Sequence, residues 1–232
     1  MVKKQPDQTA SLIAINNDAI AYLKMGELNE SYSLLSEAVS TIQKLIREQE
    51  PPKSTPFCHK FQWNDLTYAI ANYVLKGSEQ SGLPFLFQRC ITVDMPRKRE
   101  IRANNLCCPF GLCWILHYNL ALVYHLLGIQ KAESGKLYLQ EAERLYGMVS
   151  AYVQSRRCSS ADDYTVLLMG IWNNQRCIYM ELGMEEQDTD CLARLRKLLM
   201  STSASQNKLP GWRFFYLNLV ALEMQRSVAA AA

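Results

Sequence analysis

The stretch NNLCCPFGLCWILH, residues 104–117, gathers Cys107, Cys108, Cys113 and His117. Cys113 and His117 stand four residues apart, so a helix through them puts both on one face. Zinc takes tetrahedral sulfur and nitrogen ligands, and Cys107 or the Cys58–His59 pair would complete a set. A cysteine nucleophile instead needs a histidine within hydrogen-bond reach and a third group to orient it. Against both stand the lack of any CxxC pair and the apolar Trp114, Ile115 and Leu116, which mark a buried helix start. Buried thiols are therefore the expected state. The alternative is a zinc-stabilised or enzymatic domain centred on Cys107, Cys108, Cys113 and His117. No Gly-rich phosphate loop, GxSxG elbow, HExxH pair or acidic calcium loop occurs. The sequence assigns no catalytic residue, no metal ligand and no cofactor.

The second chemically pointed stretch is MPRKREIR, residues 95–102, the densest basic cluster. It suits an import signal or an acidic partner such as RNA. Glu100 offsets part of its charge, and a net charge of +3 over 232 residues is small for a nucleic-acid binder. A solvated loop is the expected state, with no nucleic acid as partner. Hydrophobic residues make up 49% and charged residues 20%, a balance that folds. No run of about 18 apolar residues is evident, so no membrane contact is expected. MVKKQPDQTA leads into no signal-type apolar block. Eight cysteines without a secretory leader read as free thiols, which places the chain in the cytosol or nucleus.

These residues must be positioned by helices. Six of the eight prolines lie between Pro51 and Pro109, and the flanks are rich in helix formers. Residues 8–49 read as a first helical hairpin, with Leu12, Ile15, Ala19, Tyr22 and Leu23 at helical spacing, Gly26 as punctuation and Asn29 as N-cap of the second helix. Residues 50–110 read as an irregular insertion. Within it Trp63, Leu66, Ile70, Tyr73 and Val74 suit a short helix, and PFLFQRCITVD, residues 84–94, favours extended structure. Residues 111–200 read as a second and third hairpin, with Ser160 and Asp163 as a capping box. Pro210 opens a final capping helix over 210–226. The expectation is a single all-α domain over 1–232 with an irregular or short β-containing insertion.

Three decapeptides share one frame: NDAIAYLKMG (17–26), NLALVYHLLG (119–128) and NQRCIYMELG (174–183). Each spaces Asn, Tyr and Gly identically. The Tyr is expected to face a packing seam, and the Gly to leave the helix in a left-handed conformation. The pattern resembles the tetratricopeptide repeat, whose first helix carries a small residue, Tyr and Gly. Ala19, Tyr22, Gly26, Leu35 and Ala38 match in the first copy, and Leu120, Ala121, Tyr124 and Gly128 in the second. Gly135, Leu139 and Ala142 follow with two residues inserted in the turn. Tyr179 and Gly183 match in the third copy, where Arg176 replaces the small residue. PFLFQRCITVD and NLALVYHLLG also resemble repeat-like proteins of diatoms.

The resemblance implies antiparallel hairpins stacked as a right-handed array. It also implies a non-catalytic scaffold that holds a protein or peptide partner in its groove. Groove-facing positions would then include Asn16, Ile20 and Leu23, then Tyr118, Leu122 and His125, then Asn173, Cys177 and Met180. The carboxylate clamp of the chaperone-binding members is missing. Asn16 and Ile20 stand where that set has Lys and Asn, and Gly170 and Asn174 where it has Lys and Arg. Asn16, Asn17, Tyr118, Asn119, His125, Asn173 and Asn174 are the expected partner-binding residues. Asn17, Asn119 and Asn174 either bind a backbone or bond within their own repeats.

Overall fold

The computed structural model describes residues 8–48, 61–65, 86–87, 89–94, 109–131, 134–155, 161–201 and 212–220. Most of them are helical, with one small two-stranded sheet. The helices are α1 (Gln8–Met25), α2 (Leu28–Arg47), α3 (Pro109–Gln130), α4 (Gly135–Ser155), α5 (Ala161–Glu181), α6 (Glu185–Ser201) and α7 (212–220). The strands are β1 (Phe61–Asp65) and β2 (Arg89–Val93), paired antiparallel with Trp63 opposite Ile91. Two compact units result. The first takes residues before 79 together with 88–149, and the second takes 79–87 and everything from 150 onward.

In the first unit α1 packs on α2, and α3 packs on both. Their apolar faces supply the core: Leu12, Ile13, Ile20 and Leu23 from α1, Leu35, Ala38 and Ile42 from α2, and Ile115, Leu116 and Leu122 from α3. Every residue from Trp114 to Val123 is buried, as expected of a helix that is apolar all round and central to its fold. By length and mean hydropathy α3 is also long and apolar enough to cross a membrane, although His117, Asn119 and His125 interrupt its apolar run. Yet 83% of its most apolar window is buried inside the molecule. The rings of Tyr32 and Tyr124 meet edge to face at 5.3 Å between α2 and α3.

The tyrosine–glycine spacing has a backbone cause in two of the three copies. At the end of α1, Gly26 has φ 83°. Its N–H bonds Leu23 O at 3.1 Å, and Glu27 N–H bonds Tyr22 O at 3.0 Å. At the end of α5, Gly183 has φ 69°, with Gly183 N–H on Met180 O at 3.2 Å and Met184 N–H on Tyr179 O at 2.8 Å. Both are Schellman closures, in which the tyrosine carbonyl takes the longer bond and only glycine enters the left-handed turn without strain.

The second copy departs from this. Gly128 lies inside α3, which runs on to Gln130. A Cβ on Gly128 would come within 2.7 Å of the Leu139 side chain, and one on Gly135 would collide with the Gly128 carbonyl. Gly128 thus serves close approach of α3 and α4, not helix exit.

Three further expectations are corrected. The cap of α2 is Glu27, without a side-chain cap bond, because the Gly26 closure starts the helix at Leu28 before Asn29 is reached. Trp63 lies in β1, where pairing with β2 overrides its helical spacing; Leu66, Ile70, Tyr73 and Val74 lie outside the described residues. Tyr22 is 38% exposed rather than packed in a seam, whereas Tyr179, at the same place before Gly183, is buried. The capping box at Ser160 also lies outside the described residues.

In the second unit α5 packs on α6. Val166, Leu167, Ile171 and Ile178 of α5 and Cys191, Leu195 and Leu199 of α6 are buried core residues. Arg176, with only 1% of its side chain exposed, bonds Asp188 Oδ1 through Nε at 2.7 Å. The residue that breaks the repeat pattern is therefore a buried cation paired across the α5–α6 turn.

Candidate functional site

β2 lies against α1 and α3. In an antiparallel ladder, alternate residues send N–H and C=O to the partner strand, and the residues between send theirs to the opposite edge. On that opposite edge of β2 stand asparagines. Asn119 Oδ1 accepts Ile91 N–H at 2.9 Å, and its Nδ2 donates to Ile91 O at 2.8 Å. Asn17 treats Val93 the same way, with Oδ1 accepting N–H at 3.0 Å and Nδ2 donating to O at 2.9 Å. A carboxamide carries one acceptor and one donor group on a planar end, so it can close both bonds of a single residue. The two side chains together do what a third strand would do.

Asn16 and Tyr118 complete this edge. Asn16 Nδ2 donates to Ile91 O at 3.0 Å, and Asn16 Oδ1 accepts from Asn119 Nδ2 at 2.8 Å. The Tyr118 hydroxyl donates to Arg89 O at 2.8 Å. Its ring meets Trp63 of β1 edge-on at 5.9 Å, and burial pushes its hydroxyl well above the usual tyrosine range. Asn16, Asn119 and Tyr118 are fully buried, so each needs such partners to offset its desolvation. From the solvent side, Lys24 Nζ donates to Asn64 Oδ1 at 2.6 Å and ties the hairpin to α1.

The second unit repeats the device once. Asn174 Oδ1 accepts Phe87 N–H at 2.8 Å, and Asn174 Nδ2 donates to Phe87 O at 3.1 Å. The Phe87 ring lies over Gly170, where a Cβ would come within 2.6 Å of its Cε1. Phe215 and Phe214 flank it at ring-centroid distances of 4.8 and 5.6 Å. The equivalent asparagine of all three decapeptides thus holds both backbone groups of one residue.

Of the expected partner-binding residues, Asn16, Asn17, Tyr118 and Asn119 meet on β2, and Asn174 meets Phe87. Asn173 instead accepts from Asn218 Nδ2 at 3.2 Å. His125 is fully buried against the Tyr146 ring, and neither ring nitrogen has a hydrogen-bond partner among the described residues. Burial lowers its pKa to about 3, which keeps it neutral. Sequence reasoning did not anticipate that the chain would supply the extended backbone itself. The spacing of the asparagines was visible, but nothing local links residue 17 to residue 93. Nor did it assign a role to Gly170, whose only signal is a glycine where the other copies have Ile13 and Ile115.

The cysteine–histidine pair is formed but quiet. Cys113 Sγ lies 3.5 Å from His117 Nδ1, and that same nitrogen bonds the Cys113 carbonyl at 2.6 Å. A carbonyl only accepts, so Nδ1 carries the proton, and Nε2 accepts from Gln43 Nε2 at 3.1 Å. The histidine turns no lone pair toward the sulfur. Burial pushes the Cys113 thiol up to about 12, far from the thiolate a nucleophile needs. Among the described residues no three His, Cys, Asp or Glu side chains gather in a metal-binding group. Cys58, His59, Cys107, Cys108 and the basic stretch 95–102 lie outside the described residues. Cys90, Cys113, Cys177 and Cys191 are free thiols.

Comparison with family models, with curated proteins and with solved structures gave no match for this chain.

Proposed function

We propose that this chain is a non-catalytic interaction module of paired, tetratricopeptide-like helices that binds extended polypeptide through asparagine side chains. One observation carries the reading: Asn17, Asn119 and Asn174, at the same place in three copies of one motif, each close both hydrogen bonds of one backbone residue. Such contacts read the main chain and leave side chains unread, so the ligand class is an extended segment. β-strand addition gains affinity from the main chain in the same way. The packing of α3 on both α1 and α2 supports the repeat-like arrangement. In the resting chain the site holds the protein's own strand, and a partner segment replaces it. The free thiols support a cytosolic or nuclear setting.

Panning a phage-displayed random peptide library on the full chain, and in parallel on its Asn17→Ala variant, tests the reading. Enrichment of peptides of high strand propensity but no shared side-chain pattern on the native chain, lost or weakened on the variant, supports it. Enrichment indifferent to Asn17, or none, overturns it.

A further inference from the structure

Phe87 lies two residues before β2 and outside any helix, yet it is only 2% exposed. Two separate features of α5 accommodate it. Asn174 closes both of its backbone bonds and is indifferent to its side chain. Gly170, one helical turn earlier, opens the space its ring fills, since any Cβ there would collide with that ring. The corresponding positions in the other two copies are Ile13 and Ile115, both fully buried core residues. Phe214 and Phe215 on α7 wall the space. Aromatic pairs at such offset and tilted geometries add to the burial term. The place is therefore shaped for one backbone unit of any sequence carrying an aromatic side chain.

We propose that the Gly170–Asn174 face of α5, walled by Phe214 and Phe215, is an aromatic-anchor site that Phe87 occupies in cis and that accepts a phenylalanine from a partner's extended segment. The inference rests on reading the asparagines as backbone binders and adds the side chain that the site selects. Its occupant is identified by what now fills it: a flat apolar ring on a backbone unit that offers its N–H and C=O to a carboxamide.

The test uses the full chain and a single-residue probe, N-acetyl-phenylalanine N-methylamide, with the alanine analogue as control. The Phe87→Ala variant takes up the phenylalanine probe saturably by ligand-observed NMR and prefers it to the alanine probe. The native chain, blocked by its own ring, takes up neither at the same concentration. Adding Gly170→Val to Phe87→Ala weakens uptake about tenfold or more, because side-chain atoms at that position take the ring space. A folded Phe87→Ala variant without preference between the probes overturns the proposal.

Should that variant fail to fold, native-state hydrogen exchange on the unaltered chain decides. A removable occupant exchanges its Phe87 amide well before the α5 amides at Ile171 and Trp172, whereas exchange in step with them marks Phe87 as fixed core and overturns it. Because the probe is one residue long, peptide panning can fail while uptake succeeds, and the reverse. The two readings therefore fail separately.

Discussion

At the scale of single residues, Asn17 and Asn119 make the same pair of bonds in different surroundings. Asn119 is fully buried and Asn17 half-buried. Water can replace the Asn17 amide in part but cannot reach Ile91, whose N–H would be stranded if Asn119 were lost. A stranded buried group costs about 1–3 kcal/mol. Asn119→Ala should therefore lower stability by about 2–3 kcal/mol and Asn17→Ala by about 1 kcal/mol, read from urea midpoints at constant slope. Equal losses would mean that burial does not govern the strand's hold.

His125 gives a second residue-level prediction. Its folded pKa lies at about 3 against an ordinary value of 6.5, so between these limits the unfolded chain binds the extra proton. Stability is thus complete above pH 6.5 and falls as the pH drops, by up to about 1.4 kcal/mol per pH unit for this one group. Burial also lowers His117, which acts in the same direction. Denaturation of His125→Leu between pH 4.5 and 7.5 should show a shallower acid limb than the native chain. Parallel limbs would show that His125 is not the group that titrates.

At the scale of elements, two glycines of one motif answer to different physics. Gly183 needs only its left-handed backbone, since no atom lies within 4 Å of where a Cβ would sit. Gly128 needs only its missing Cβ, because Leu139 occupies that space. Asparagine tolerates the left-handed region better than alanine does. Gly183→Asn should therefore be milder than Gly183→Ala, which should cost about 1–2 kcal/mol. At Gly128 the order reverses, because the larger side chain overpacks more, at about 1–3 kcal/mol or above. Thermal midpoints of the four variants check the crossover.

The same pair shows what the sequence made legible. Both helix ends with left-handed glycine, the apolar faces of α1, α2 and α3 and the extended character of residues 89–93 follow from periodicity and propensity. The continuation of α3 past Gly128 does not, because it depends on a neighbouring helix fitting against it. The strand at Trp63 was hidden for the same reason: it exists through a partner 28 residues away, and its own spacing suits a helix equally well.

At the scale of the whole molecule, the thiols report on folding. Cys90 and Cys177 are buried, and burial raises Cys177 to about 12, as it does the thiols of Cys113 and Cys191. Iodoacetamide at pH 8 should leave Cys90 and Cys177 unmodified in the native chain and alkylate them in urea, as peptide mass spectrometry would show. Native modification at either position would mean that the surrounding core opens far more readily than its packing implies. The asparagine contacts were half legible at this scale. A carboxamide at a fixed place in three helices suggests a backbone ligand, but residues 17 and 93 meet only once the chain has folded around them.

The grip of Asn17 and Asn119 on amide groups alone has a consequence for how β2 tolerates change. Swapping one side chain for another in residues 89–93 leaves all four of their bonds in place. Only an imino acid at Ile91 or Val93 deletes the hydrogen that the carboxamide oxygen receives. Saturation mutagenesis of this strand should therefore find proline at Ile91 and Val93 more damaging than any apolar replacement of similar size.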